Sequence, residues 1–406
     1  MLSIGQEAAI SEMVFQGNNK TKESFLRKLA KVSEGVVLDS TLLEADITRL
    51  KRLPGIAHGY YQVHPKEDGT YKVVYGFEEN FTIIPFANVF TTNDDEFAFR
   101  VGIQEFNALG RNISLGGFFQ RDVFNSYGFN FRAPYLFSNK FGLALDYQDL
   151  TTQEPVFLDN GTADYKYNNQ SYGAAGIYEF NFNHKMQFGL IFFTENYDYL
   201  RGATAQNVPQ TLEVDKLLYK GIYQFNNLDY YYQYIDGFKN TFNFQYVTTI
   251  EGVLPEFLIF RNDLVYYTRV GEKGNWASRL TFGVASNNDS PFAPFAVDNN
   301  LNIRGVGNTI DRGTAALILN TEYRHTIYEK DWFIFQGNGF VDAGTWRNPG
   351  GDFGDFGDAQ NLRIYPGIGV RFIHKRIFNT VFRIDYGYGI TDDATNGFVF
   401  GIGQYF

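Results

Sequence analysis

Between Thr380 and Ile390 the side chains alternate: Phe382, Ile384, Tyr386 and Tyr388 are interleaved with Arg383, Asp385, Gly387 and Gly389. A period of two belongs to a β-strand whose two faces meet different surroundings. The pattern recurs where Phe242, Phe244 and Tyr246 flank Asn243 and Gln245, and where Leu317, Leu319 and Tyr323 flank Ile318, Asn320, Glu322 and Arg324. It returns at Phe398, Phe400, Ile402 and Phe406, so the final strand is expected to run to Phe406. Aromatics on one face with Arg, Asp and Gly on the other suit a strand between lipid and a wet lumen. A soluble sandwich also alternates, but its polar face is the outer one.

Composition narrows the choice. Aromatics are 18% of 406 residues, with 42 Phe and 28 Tyr. Mean hydropathy is nevertheless −0.27, and no apolar run approaches the roughly 18–20 residues of a membrane helix. Aromatic girdles on alternating strands reconcile the two. The absence of cysteine excludes disulfides and thiolate metal sites, and His58, His64, His184, His325 and His374 show no zinc-like spacing. A net charge of −10 argues against nucleic acid as a partner. The first twenty residues hold no secretory signal, so a barrel reading expects one to have been removed or to lie outside this sequence.

Two regions follow different periods. In residues 1–79, Ile10–Gln16 reads as a strand, Thr21 as the N-cap of a helix carrying Phe25, Leu26 and Leu29, and Asp39 as the cap of a second helix. Strands near 57–65 and 71–78 complete a small α+β module. Residues 80–406 read as about sixteen antiparallel strands, from 81–91 to 396–406. Connections after even-numbered strands are mostly tight, whereas 151–164, 200–212, 289–311 and 347–360 are long. Outer-membrane barrels have short periplasmic turns and long external loops. That parity expects the N-terminal module in the periplasm and the barrel in a bacterial outer membrane.

The loop 289–311 contains Asn302-Ile303-Arg304-Gly305-Val306-Gly307, and Phe340-Val341-Asp342-Ala343-Gly344 follows on the thirteenth strand, after Asn320-x-Glu322-x-Arg324. With the N-terminal module and the strand count, the chain resembles the BamA/TamA outer-membrane assembly and translocation superfamily, surface-antigen barrels with POTRA domains. The resemblance covers nearly the whole chain. It implies a single POTRA-like domain and an inward-folding loop whose Ile303, Arg304 and Gly305 lock onto Asp342, Gly344 and Glu322. Read alone, Arg304 is more simply a solvated loop charge and Asp342 a lumenal carboxylate in a wet interior. The family usually places Phe or Tyr after Arg-Gly, and Val306 there buries less area, about 1 kcal/mol less.

The resemblance also implies a lateral seam between the first and last strands. Pro85 lacks a ladder donor, Gly401 and Gly403 pack poorly, and Phe406 closes the last strand; ordinary barrel shaping is the alternative. An open seam or a POTRA sheet edge can pair with an extended polypeptide. The expected partners are unfolded outer-membrane proteins or exported polypeptides, periplasmic proteins or lipoproteins at the POTRA-like domain, and the bilayer, with no cofactor or metal. A two-partner-type secretion pore is the nearest rival, and a passive porin the rival of another class. The tripeptides Asp352-Phe353-Gly354 and Asp355-Phe356-Gly357 lack kinase context. With Asp358 they make an acidic external loop, solvated or calcium-binding. No nucleophile–base or metal-ligand constellation suggests an enzyme.

Overall fold

The computed structural model describes residues 9–91, 97–158, 160–206, 208–250, 255–288, 294–296, 302–306, 312–378, 381–392 and 394–406. Strand β1 (Ile10–Gln16) pairs in parallel with β3 (Tyr71–Glu79), which pairs antiparallel with β2 (Ile56–Pro65). Helices α1 (Glu23–Leu29) and α2 (Ser40–Lys51) share a core with this sheet. Phe25, Leu26, Leu29, Leu43 and Leu50 pack there on Met13, Phe15, Val73 and Tyr75. Asp39 caps α2 as expected, accepting from the Thr41 amide. Thr21 does not cap α1. The N-cap is Lys22, without a side-chain bond. The Thr21 hydroxyl instead accepts from Asn107 Nδ2 at 2.9 Å, so it ties the module to the barrel.

Asp46 is the one buried charge in that core among the described residues, 1% exposed. Its carboxylate accepts from the amides of Lys31 and Val32 at 2.8 and 3.0 Å, and from the Tyr75 hydroxyl at 3.3 Å. Burial, reinforced by the neighbouring Asp46 charge, pushes the Tyr75 hydroxyl well above its ordinary range, so it remains a donor. Charge-assisted bonds of this kind each contribute about 1.5–3 kcal/mol. Asp46→Ala is therefore expected to destabilise the module by about 2–4 kcal/mol. Faster trypsin cleavage at Arg27, Lys28 and Lys31 in the intact protein checks this; an unchanged rate would show that the carboxylate is dispensable.

The barrel strands are β4 (Ile83–Thr91), β5 (Phe97–Ala108), β6 (Ile113–Arg121), β7 (Asn125–Ala133), β8 (Phe141–Leu158), β9 (Gly161–Asn181), β10 (His184–Gly202), β11 (Thr211–Asn226), β12 (Tyr234–Thr249), β13 (Phe257–Val270), β14 (Gly274–Ala285), β15 (Ala315–Glu329), β16 (Phe333–Arg347), β17 (Leu362–His374), β18 (Val381–Tyr388) and β19 (Asn396–Ile402). These sixteen close antiparallel, with β19 beside β4. The predicted alternation holds. Phe382, Phe398 and Phe400 face outward and exposed, while Asn320, Glu322, Arg324, Asp342 and Asp385 face inward and buried.

Two sequence expectations about the barrel also need correction. Residues 151–164 form no long loop: β8 and β9 continue as a hairpin to the pair Leu158–Gly161. Tyrosines alternating at 165 and 167 extend the ladder, since an aromatic, hydroxyl-bearing strand is stable above an apolar band as well as within it. The last strand also stops early, at Ile402 rather than Phe406. Gly403 adopts φ +99°, a left-handed conformation that glycine takes without strain, and the chain leaves the wall.

The N-terminal module lies across the short-turn mouth. The Lys22 amide donates to Gly110 O. Arg49 pairs with Glu179 at 2.6 Å, and Arg52 donates to Leu228 O and Asn226 O, both at 2.7 Å. His58 stacks on Tyr232 with centroids 5.1 Å apart. These contacts reach the turns after β5, β9 and β11.

Candidate functional site

Loop tip 302–306 enters the lumen between β14 and β15. The rest of the expected loop 289–311, apart from 294–296, lies outside the described residues, Gly307 included. Asn320 Nδ2 donates to Asn302 O at 2.8 Å, fixing where the tip meets β15. Ile303 and Val306 are buried on Ala316, Ile318, Trp346 and Tyr365. Val306 thus packs against the wall without being aromatic, and its carbonyl accepts from Thr395 Oγ1 at 2.9 Å.

Arg304 is fully buried. Its Nε and Nη2 donate to the two oxygens of Asp342 at 2.8 and 3.0 Å, and its amide donates to Oδ2 at 3.0 Å. This is the bidentate fork available to arginine and not to lysine. Arg304 Nη1 donates to Glu322 Oε2 at 2.6 Å and lies 3.6 Å from Asp385 Oδ1. The two acids come together because their strands are adjacent: Asp342 on β16 is opposite Asn320, and Glu322 on β15 is opposite Phe340. The Phe340 ring lies 3.6 Å from Arg304 Cζ, and that of Tyr405 4.3 Å. Gly305, at φ +94°, makes this approach feasible. A Cβ there would come within 2.6 Å of the Gly387 carbonyl oxygen on β18.

Glu322 is the hub. It also accepts from Arg324 Nε at 2.5 Å and from Arg371 Nη2 at 2.7 Å to both oxygens. Asp385 accepts from Arg383 Nη1 at 2.9 Å and Asn338 Nδ2 at 3.2 Å. The structure therefore brings together Ile303, Arg304, Gly305, Asp342 and Glu322. Gly344 lies buried two residues beyond Asp342 on the same face, without a polar role. The sequence reading missed Arg371, Asp385, Gly387, Thr395 and Tyr405 as parts of this cluster. Only the lumenal phase of the polar ones pointed to them.

At the seam, Thr82 O accepts from the Phe106 amide at 3.0 Å, so even-numbered residues of β4 bond to β5. Antiparallel pairing alternates, and the odd-numbered residues direct their backbone groups the other way, toward β19. Pro85 is odd-numbered, so the donor it lacks is missing from the seam side. Strands also shorten here: β18 and β19 have 8 and 7 residues against 21 in β9. Below the seam, the Phe81 amide donates to Arg376 O at 2.7 Å and Phe81 O accepts from the Phe378 amide at 3.1 Å. Gly401 lies on the lumenal face, where a Cβ would meet the Arg383 guanidinium within 2.6 Å. Phe406 is not on the seam. It packs inside the lumen against Leu228, Val265, Tyr267 and Ala277. In the acidic loop, Asp352 and Asp355 accept from the amides of Gly354 and Asn348.

The Omp85 superfamily domain matches residues 107–406. The chain belongs to the Omp85 superfamily. The surface antigen variable number repeat, POTRA, matches residues 8–80. Among solved structures, this Omp85 chain resembles BamA from Haemophilus ducreyi lacking POTRA domains 1–3, with a TM-score of 0.55 at 16% identity over 98% of this chain and 84% of that one. It also resembles CdiB from Acinetobacter baumannii (TM-score 0.63, 15% identity, 97% and 73% covered) and CdiB from Escherichia coli (0.63, 11%, 97% and 75%). Identities this low establish a shared fold. As an Omp85 barrel, the protein is an outer-membrane protein.

Proposed function

We propose that this protein inserts polypeptides into the outer membrane through a lateral seam between β4 and β19, with its POTRA domain in the periplasm. The observation that carries the reading is the fully buried fork of Arg304 on Asp342 and Glu322. A solute channel gains nothing from plugging its lumen with a locked loop. A barrel whose wall must open does gain, because the loop braces β15–β18 while the neighbouring seam parts. The missing Pro85 donor and the short terminal strands lower the number of bonds to break. An exposed β4 edge then templates a client strand. In the POTRA domain the β1 edge is occupied, with Gly35 and Val36 bonded to Ile10, while β2 borders the sheet on its far side. We assign client or lipoprotein contacts to β2. The work is an exchange of backbone hydrogen bonds and needs no cofactor.

Depleting the protein in its host and quantifying the outer-membrane proteome tests this. A broad fall in barrel proteins, restored by the wild-type gene, is expected. Loss of only one or two exported proteins would replace assembly by dedicated translocation. A change confined to small-solute uptake would overturn both in favour of a porin.

A further inference from the structure

The segment after β19 carries an inference of its own, which rests on the seam reading. Gly403 turns the chain inward, and its amide donates to Val381 O at 2.8 Å. Gln404 Oε1 accepts from Arg371 Nη1 at 3.2 Å. Tyr405, 8% exposed, lies 4.3 Å from Arg304 Cζ and 4.8 Å from Arg383 Cζ, measured to its ring centroid. The Phe406 ring sits among Leu228, Val265, Tyr267 and Ala277 on the wall formed by β13 and β14, 5.7 Å from Arg324 Cζ. In four residues the last strand is thus joined to the loop-tip arginine, to the hub's Arg371 and to an apolar seat across the lumen.

We propose that Gly403–Phe406 is an internal latch: its seat in the lumen holds β19 against opening, and its grip depends on Arg304 being locked. The chemistry is a pair of aromatic rings, one on a desolvated guanidinium and one in an apolar slot. β19 cannot swing outward with Tyr405 and Phe406 in place, because the tail is too short to reach both. Releasing Arg304 from Asp342 withdraws the cation from Tyr405, so loop and seam respond together. Arg304 thus faces two rings, Phe340 of β16 and Tyr405 of the segment that continues the gate strand.

Two measurements on the full-length protein in membranes test this. With p-benzoylphenylalanine at position 406, irradiation is expected to yield cross-links to the segments around Leu228, Val265 and Ala277. Products on β4 alone would overturn the latch, and this arm does not depend on whether the seam opens. In planar bilayers, Tyr405→Ala is expected to raise the frequency of large conductance openings about five- to tenfold, the scale of its lost cation–π contacts with Arg304 and Arg383. Tyr405→Phe keeps the ring and is expected to behave as wild type. Heat-modifiable electrophoretic mobility confirms that each barrel is folded, and Phe406→Ala serves if Tyr405→Ala is not. Lumenal cross-links with unchanged openings, or equal effects of Ala and Phe at 405, would overturn the latch while leaving the seam reading to the proteome experiment.

Discussion

Arg304→Ala is expected to leave a barrel that reaches the membrane but fails to restore the outer-membrane proteome of a depleted host. The substitution removes both halves of the fork on Asp342 and the 2.6 Å bond to Glu322. What remains is an Asp342 carboxylate without exposure, held among the described residues by the residue 304 amide alone. Breaking one side of a buried pair costs about 3–5 kcal/mol, because the surviving charge is uncompensated. The folded-to-unfolded midpoint in urea should fall accordingly. Arg304→Lys keeps the charge but has one nitrogen where three are used, so it should recover less than half of the lost stability. Full complementation by the alanine variant would remove the loop from the mechanism.

A larger structural effect is expected from Glu322→Ala. Glu322 accepts from Arg304, Arg324 and Arg371, all three without exposed surface. Its loss leaves Arg324 and Arg371 with no ion-pair partner among the described residues. Barrel levels in the membrane should fall more than for Arg304→Ala, and Glu322→Gln should lie between, since an amide accepts but carries no charge. The double variant Glu322→Leu with Arg371→Leu should be more stable than Glu322→Leu alone. Removing both partners also removes the desolvated cation, and the coupling should measure about 1–3 kcal/mol. Additive effects would show that the residues do not act as one network.

These expectations follow from features of unequal visibility in the sequence. The barrel was legible because alternation is local: Phe382 and Arg383 declare their faces within two residues. Arg304, Asp342 and Glu322 were legible through their combined pattern. Arg371 and Asp385 had the right phase, but which lumenal charges meet depends on the stagger between strands, which no single strand records. The tail was misread for a related reason. Phe406 keeps the even phase of Phe398, Phe400 and Ile402, so nothing but Gly403 marked the turn, and glycine also occurs as strand punctuation at Gly397 and Gly401. Thr21 was misread because a helix cap and an inter-domain acceptor need the same hydroxyl.

The fastening of Phe81 to Arg376 and Phe378 has a mechanical corollary. If the seam parts as proposed, a slit pinned at its base would open as a wedge, with Phe81 as the fulcrum and the gap growing in proportion to height. Clearance would then be greatest at the long-loop rim and would vanish beside the POTRA domain. Bilayer and lumen would exchange only through the upper part of the wall, and the small domain would keep its footing on both margins of the slit throughout the stroke.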